Sequence, residues 1–376
     1  MRVLVVSAPG VGHVFPMVPL TWALRAAGHD VLVVTSSDGL AVADAGLPVA
    51  DALPGMNVRQ QFEQLRQQDP ARFAELANRR VTDVREVGAI LPWLTRPLLP
   101  GTMAIAERFR PDVVLQGAMG GSGLVVAAKL GVPWVGHGFG FLRGGQLPEV
   151  YREHMADAFD QYGVDLPERR AYVDVAPPSM IAGEPDGWSM RYVPYNGGGV
   201  EPSWLAEASG RPRVAVTLGT VAPSMNGLGP VERIIAAAPD VDAEFVLALG
   251  DEVDLDGLGP LPPNVRAAGW IPLNSLLANS SLLIHHGGAG TAMTPLALGV
   301  PQLVAPSGAD RHINAAAVHD RGVGLQVEEH ELDARVINQL LDEEKFRTTA
   351  AEVAAEVAAM PSPAEVAARL VDFVRG

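Results

Sequence analysis

The chain has 376 residues, 48% hydrophobic and 19% charged, with a formal net charge of −15 and no cysteine. That length favours two domains over a single core. The acidic balance argues against nucleic acid or an anionic membrane surface as the main partner, and the lack of cysteine excludes disulfide, thiolate and zinc-thiolate chemistry.

The N-terminus, MRVLVVSAPGVGH, carries one Arg and an apolar run too short for a signal peptide. No stretch approaches the roughly 18–20 apolar residues of a membrane span, so the expectation is a cytoplasmic protein with no membrane partner. Of 28 Lys and Arg residues only Lys129 and Lys345 are lysines, a bias that points to a GC-rich bacterial genome and not to chemistry.

Val3–Val6 is an apolar run of the buried parallel type, followed by a loop from Ser7 to Gly12. An amphipathic helix is predicted from about Val14 to Ala27, closed by Gly28-His29, with a second strand at Val31–Val34. This βαβ opening implies a parallel sheet covered on both faces. Residues 55–110 are polar and broken by prolines. They read as helices over the sheet edge, with an apolar face at Ile90, Leu91, Trp93 and Leu94. Val113–Leu115 is a strand, Gly123–Leu130 a helix and Pro133–Val135 a strand. Residues 144–200 are rich in Pro, Gly and Tyr, and periodicity vanishes at Tyr195–Gly199, the predicted linker. Beyond Pro212 the βα rhythm resumes, with strands at Val214–Leu218, Glu244–Leu249, Leu282–Ile284, Pro301–Val304 and Gly324–Val327. The chain ends in helices, the last starting at Pro361-Ser-Pro363. The fold class is therefore α/β, two Rossmann-like domains facing an interdomain cleft, with boundaries at 1–200 and 201–376. The last helix is expected to pack back on the first domain.

The stretch SLLIHHGGAGT, residues 281–291, ends a strand in two histidines and three glycines. Gly288 and Gly290 let backbone approach a ligand closely, and a helix starting near Thr291 would aim free N–H groups at an anion. No Walker lysine is near, and the spacing is not that of a dinucleotide turn. A tight strand–helix turn with a histidine caught in it is the plainer alternative.

Together with VRAAGWIP (265–272) and VPQLVAPSGADR (300–311), this stretch resembles the donor-binding signature of GT-B nucleotide-sugar glycosyltransferases. The likeness is strongest to bacterial macrolide and enediyne (calicheamicin-type) antibiotic glycosyltransferases and extends over nearly the whole chain, including GHVFPMVPL near the start. The resemblance implies that Trp270 borders the nucleotide base and the Ile271 backbone meets its edge. It implies that His286, Gly288, Gly290 and Thr291 hold the diphosphate, that Asp310 binds donor-sugar hydroxyls, and that Gly12, Gly219 and Thr220 face the donor from across the cleft. The family usually has Asp-Gln where this chain has Asp310-Arg311, which bears on sugar selection.

His13, at the carboxyl end of the first strand, is implied to be the general base of an inverting displacement. A group with an ordinary pKa near 6.5 suits that task. The family often gives this histidine an Asp partner on a later strand. Here the corresponding position is Gly117, and Asp112 stands at the wrong end of the strand. Either another group supports His13, or the acceptor is acidic enough to need less help. Asp240-Val-Asp242 and Asp254-Leu-Asp256 imitate a metal-binding triplet but read as solvated loops.

The predicted activity is metal-independent transfer of a deoxysugar from a dTDP-sugar to a large, mostly apolar polyketide-type natural product, with no cofactor. UDP is not excluded. The acceptor would dock over residues 55–100 and 138–165, with Met56, Trp93, His137, Phe139 and Phe141 as contact residues. A homodimer is compatible with this reading. Two alternatives stand beside it: a non-catalytic helper of a partner glycosyltransferase, favoured by Gly117, and a nucleotide-sugar epimerase or hydrolase.

Overall fold

The computed structural model describes residues 1–81, 83, 85–86, 95–207, 210–219, 227–251, 253 and 256–376. Seven parallel strands build a first sheet: β1 (Arg2–Val6), β2 (Asp30–Thr35), β3 (Val49–Asp51), β4 (Val113–Gly117), β5 (Trp134–His137), β6 (Arg170–Asp174) and β7 (Trp188–Ser189). Their order is β3-β2-β1-β4-β5-β6-β7. Six more build a second: β8 (Arg213–Thr217), β9 (Glu244–Leu247), β10 (Val265–Ala267), β11 (Leu282–His285), β12 (Gln302–Val304) and β13 (Gly324–Gln326), in the order β10-β9-β8-β11-β12-β13. Both are Rossmann-like, and in each the strand order reverses between the first strand and the fourth, at β1/β4 and at β8/β11.

The apolar runs build these sheets because helices cover both faces. Along β1, Val3 and Val5 join one core while Leu4 and Val6 join another, the period of two that a strand imposes. The first core takes Val18, Leu20 and Leu24 from the helix Val18–Ala26. The second takes Leu99, Met103 and Ala106 from the helix Leu99–Phe109. In β8, Val214 and Val216 likewise part from Ala215.

Several expectations need correction. The helix predicted over 14–27 is broken into Val11–Val14, a tighter turn at Phe15–Met17 and Val18–Ala26. Pro16 and Pro19 lack the N–H that a continuous helix needs, and both sit at the start of new segments. Residues 144–200 hold the helices Leu147–His154 and Ala156–Tyr162 and the strands β6 and β7. Of the 55–110 helices, Leu99–Phe109 covers the sheet, but Val58–Gln68 has no fully buried residue. The apolar face placed at Ile90, Leu91, Trp93 and Leu94 lies outside the described residues, as does Thr220.

The C-terminal helix, Pro363–Arg375, starts with Ser362 capping Glu365 N–H and the Glu365 carboxylate answering at Ser362 N–H, with Pro363 in its first turn. Val366, Ala367 and Leu370 are buried in the same core as Leu20 and Leu24 of the first domain. Phe373 meets Trp188 edge-on at 5.4 Å. Between the sheets, Tyr195 packs edge-on against Phe15 and Trp22, at 4.8 and 5.2 Å. Its neighbour Asn196 donates to Thr294 Oγ1 and accepts from Asn274 N–H, which ties this segment to the second domain. No helix among the described residues is long and apolar enough to cross a membrane.

Candidate active site between two switch points

Of the predicted site residues, Gly12 and His13 follow β1, Gly219 follows β8 and His286–Thr291 follow β11, the strand ends where open α/β sheets bind ligands, while Trp270 follows β10 and Asp310 follows β12. His285 is the last residue of β11, opposite Thr217 of β8. Its Nδ1 accepts the Gly287 N–H at 3.1 Å, so its proton sits on Nε2, which donates to Gln302 Oε1 at 2.9 Å. His285 is thus a neutral brace that sets the path of the following loop. Burial holds its pKa down to about 4.

His286 is the member of the pair that turns to the cleft side. Its imidazole is clasped by two glycines. A methyl built on Gly219 would lie 2.7 Å from its Cε1, and one on Gly288 would lie 2.6 Å from its Nε2. Gly219 also has φ +67°, where a side chain is strained. From sequence, the glycine at 288 is expected to let a ligand approach. The structure shows that its first service is to make room for His286. Gly12 and Gly290 differ: a methyl on Gly12 would meet nothing within 4 Å, and one on Gly290 only the Tyr192 hydroxyl at 3.6 Å. The His286 ring is buried and its Nδ1 has no hydrogen-bond partner. Burial first, then the Arg311 charge, then His285, push its pKa well below the usual value, so it is neutral at pH 7. A neutral imidazole can still donate one N–H to an anion.

The helix Ala289–Leu298 begins immediately after, with Gly288 as its N-cap and no side chain capping it. Thr291 lies in its first turn. Free N–H groups there face the loop without a partner from the chain's own side chains, the arrangement that favours phosphate. Asn314, fully buried, donates to Gly287 O at 2.8 Å and to Asp310 Oδ2 at 3.2 Å. It joins the 286–291 loop to Asp310. Burial raises the Asp310 pKa, opposed mainly by the Asn314 hydrogen bond. Arg311 turns its guanidinium back to Ser307, donating to the carbonyl at 2.5 Å and to Oγ at 3.0 Å. Asn314 was missed in the sequence. Its spacing of four from Asp310, one helical turn, is the signal that could have found it.

Trp270 is 42% exposed, and its indole N–H donates to Gly198 O at 3.3 Å, so the ring leans on the linker. Its own N–H donates to Asp251 Oδ1 at 2.8 Å. Ile271 is buried in the core beneath.

On the first domain, His13 lies in the short helix Val11–Val14 after β1, its ring partly exposed. Its Nδ1 is buried without a hydrogen-bond partner, and burial alone lowers its pKa to about 4. Phe139 meets the ring edge-on at 6.0 Å. The next residue, Gly140, touches the other domain: a methyl there would lie 2.7 Å from Ala289 Cβ. The dipeptide Phe139-Gly140 therefore spans from His13 to the start of the Ala289 helix. A second bridge joins the domains beside Asp310, where Ala309 exchanges backbone hydrogen bonds with Arg79 and Val81, at 2.7 and 2.9 Å.

The acceptor-side expectations fare unevenly. His137 is not in a loop but ends β5, fully buried, with Nδ1 2.5 Å from Gly138 O. Phe141 is buried in the core. Neither has surface to offer an acceptor, since His137 is 0% and Phe141 3% exposed. Met56 packs partly buried against the second core, and Phe139 is buried but lies at His13. Trp93 is outside the described residues. Among the described residues no three His, Asp or Glu side chains come together in a way that could hold a metal ion. Asp242 is on the surface, 85% exposed and paired with Arg211; Asp254 is not described.

Comparison with known proteins gives two family matches: the N-terminal domain described as erythromycin biosynthesis protein CIII-like, over residues 22–219, and the C-terminal domain of the same description, over 232–373. The chain is 46% identical over 373 residues to the elloramycin glycosyltransferase ElmGT of Streptomyces olivaceus, covering 98% of this chain and 97% of that one. Its structure is similar to that of the glycosyltransferase SnogD from Streptomyces nogalater, with a TM-score of 0.83 and 37% identity over 100% and 99% of the two chains. It is also similar to the Streptomyces sp. SF2575 glycosyltransferase SsfS6 complexed with thymidine diphosphate, with a TM-score of 0.82 and 32% identity over 99% of each chain.

Proposed function

The chain belongs to the erythromycin biosynthesis protein CIII-like glycosyltransferases, and on that premise we propose that it transfers a deoxysugar from a dTDP-sugar to a hydroxyl of a polyketide-type natural product, with inversion and without a metal. One observation carries this reading. Phe139-Gly140 brings the switch point that holds His13 up against the switch point that holds the 286–291 loop. A proton acceptor and an anion cradle thus share one cleft.

His13 Nε2 takes the acceptor proton as the acceptor oxygen attacks the anomeric carbon. The bond to the diphosphate breaks, and its electron pair leaves on the phosphate oxygen. The N–H groups at the start of the Ala289 helix and the His286 imidazole face that oxygen and stabilise its growing charge, the service a cation supplies elsewhere. Asp310, held by Asn314, receives hydroxyls of the sugar, and Trp270 offers its exposed face to the base. The thymidine diphosphate bound by SsfS6 supports dTDP over UDP.

A helper role loses its ground, since the family is one of glycosyltransferases. The test pairs wild type with His13→Ala. Calorimetry with dTDP should give equal affinity, while transfer from a dTDP-deoxysugar to polyketide acceptors should fall roughly 10²–10⁴-fold. Full transfer by the variant would remove His13 from the reaction. Release of dTDP at the same rate without acceptor would favour the hydrolase alternative. Chelator inhibition reversed by a divalent metal would overturn metal independence.

A further inference from the structure

Taking His13 as the base proposed above, we infer that the acceptor hydroxyl is itself acidic, a phenol or an enol in preference to an alkyl alcohol, because Gly117 and Met17 leave His13 with no anionic partner. The end of β4 lies beside the His13 backbone, and Gly117, which has no side chain, stands there. A methyl on Gly117 would lie 3.1 Å from Met17 Sδ, 3.6 Å from His13 O and 3.8 Å from Ser7 Oγ. The Met17 thioether, fully buried, occupies the space that a side chain at 117 would enter. The carboxylate is therefore absent in sequence and its place is filled with apolar volume.

No other group replaces it among the described residues. His13 Nδ1 is buried and unpartnered, and Phe139 presents an edge to the ring. Burial alone, with no facing charge, sets the direction of its basicity. Residues 82, 84, 87–94, 208–209 and 220–226 contain no Asp or Glu in sequence. The acidic residues whose side chains lie outside the described set, Glu252, Asp254 and Asp256, follow β9 in the second domain.

A carboxylate partner does two things for a catalytic histidine: it fixes the proton on Nδ1 and stabilises the imidazolium that forms. His13 has neither aid, so it is a weak base. The missing driving force for proton transfer must then come from the acceptor. A phenol ionises at about 10, whereas an alkyl hydroxyl lies near water's value of about 15.7. The step itself balances in the same way for both. The O–H proton passes to His13 Nε2, the oxygen lone pair forms the C1–O bond, and the C1–phosphate electron pair leaves with dTDP. Only the uphill proton transfer differs. At a sensitivity of about one half, that gap is worth on the order of 10³-fold in rate.

The test uses two acceptors of nearly the same shape, 2-naphthol and 2-(hydroxymethyl)naphthalene, with a panel of dTDP-deoxysugars. Wild type should glycosylate the phenol at least 10²-fold faster in kcat/KM. Its pH profile should rise with ionisation of the phenol itself and show no break near neutrality. The double variant Met17→Ala with Gly117→Asp should narrow the preference at least 10-fold by improving the alcohol. Equal turnover of the two acceptors by wild type, or a preference for the alcohol, overturns the inference and leaves sugar transfer standing. A profile with a break near pH 6–7 also overturns it, because His13 would then be supported. Failure of every donor with both acceptors overturns the transferase reading along with it.

Discussion

Replacing Gly288 by Ala separates two explanations of the glycine-rich loop. Gly288 has φ −59° and ψ 141°, which alanine adopts without strain. The backbone therefore does not demand glycine. The demand comes from the added methyl, which would stand 2.6 Å from His286 Nε2 and 2.9 Å from Cε1. The ring cannot retreat freely, because Gly219 also lies against its Cε1 and Nε2 atoms. Overpacking of this kind costs about 1–3 kcal/mol, and exchanging Gly for Ala at an N-cap adds up to roughly 1 kcal/mol. Urea unfolding should thus show a loss of about 1–4 kcal/mol in the single variant. In a His286→Ala background the clash disappears and only the capping loss should remain, a coupling of about 1–3 kcal/mol. Calorimetry with dTDP should show at least a 10-fold loss for Gly288→Ala, about 1.4 kcal/mol, through displacement of the imidazole. Equal destabilisation in both backgrounds would refute the argument that Gly288 exists to seat His286.

Three other outcomes follow from the geometry. Asn314→Leu strips donors from Gly287 O and Asp310 Oδ2; two buried acceptors left unmet should cost about 2–4 kcal/mol in urea unfolding and weaken dTDP-sugar binding more than dTDP binding. Leu370→Ala opens a cavity in the core shared by the last helix and the first domain and should cost about 2–5 kcal/mol, read as a fall in Tm. Acid should destabilise the fold: His137 and His285 are held near 4 when folded and return to 6.5 when unfolded, so the unfolded chain binds more protons between those values. Their stabilisation is full above pH 6.5 and is lost as pH falls toward 4, about 3 kcal/mol each, opposed in acid by the raised carboxyls of Asp174 and Asp310. A urea midpoint unchanged from pH 7 to pH 4.5 would refute it.

What was legible in the sequence was what local chemistry writes down. Val3–Val6 announces a buried strand, and Ser362-Pro363 with Glu365 announces a capped helix. HHGGAGT announces a turn that anions favour. Contact across the fold was not legible. Nothing local says that His285 braces the loop while His286 enters it, since the two are chemically identical until Gln302 pairs with one of them. Likewise Gly288 reads as an opening for ligand until the His286 imidazole is seen against both it and Gly219. His137 follows Gly136 at a strand end and looks like a loop residue; only the neighbouring β4 and β6 bury it. Short strands such as Arg170–Asp174 hide among prolines and glycines because pairing with β5, not propensity, makes them strands.

The crossing of the last helix onto the first domain sets the order of events during synthesis. Helix Val18–Ala26 emerges from the ribosome early, yet part of its cover is Val366, Ala367 and Leu370. At roughly 5–20 residues per second, the remainder of the chain beyond residue 200 takes on the order of 10–35 s to appear. Throughout that interval the first sheet stands complete with one apolar flank open. The first sheet is finished only by a helix that follows the second, so completion of the second domain, not of its own sheet, is the moment at which the N-terminal domain becomes whole.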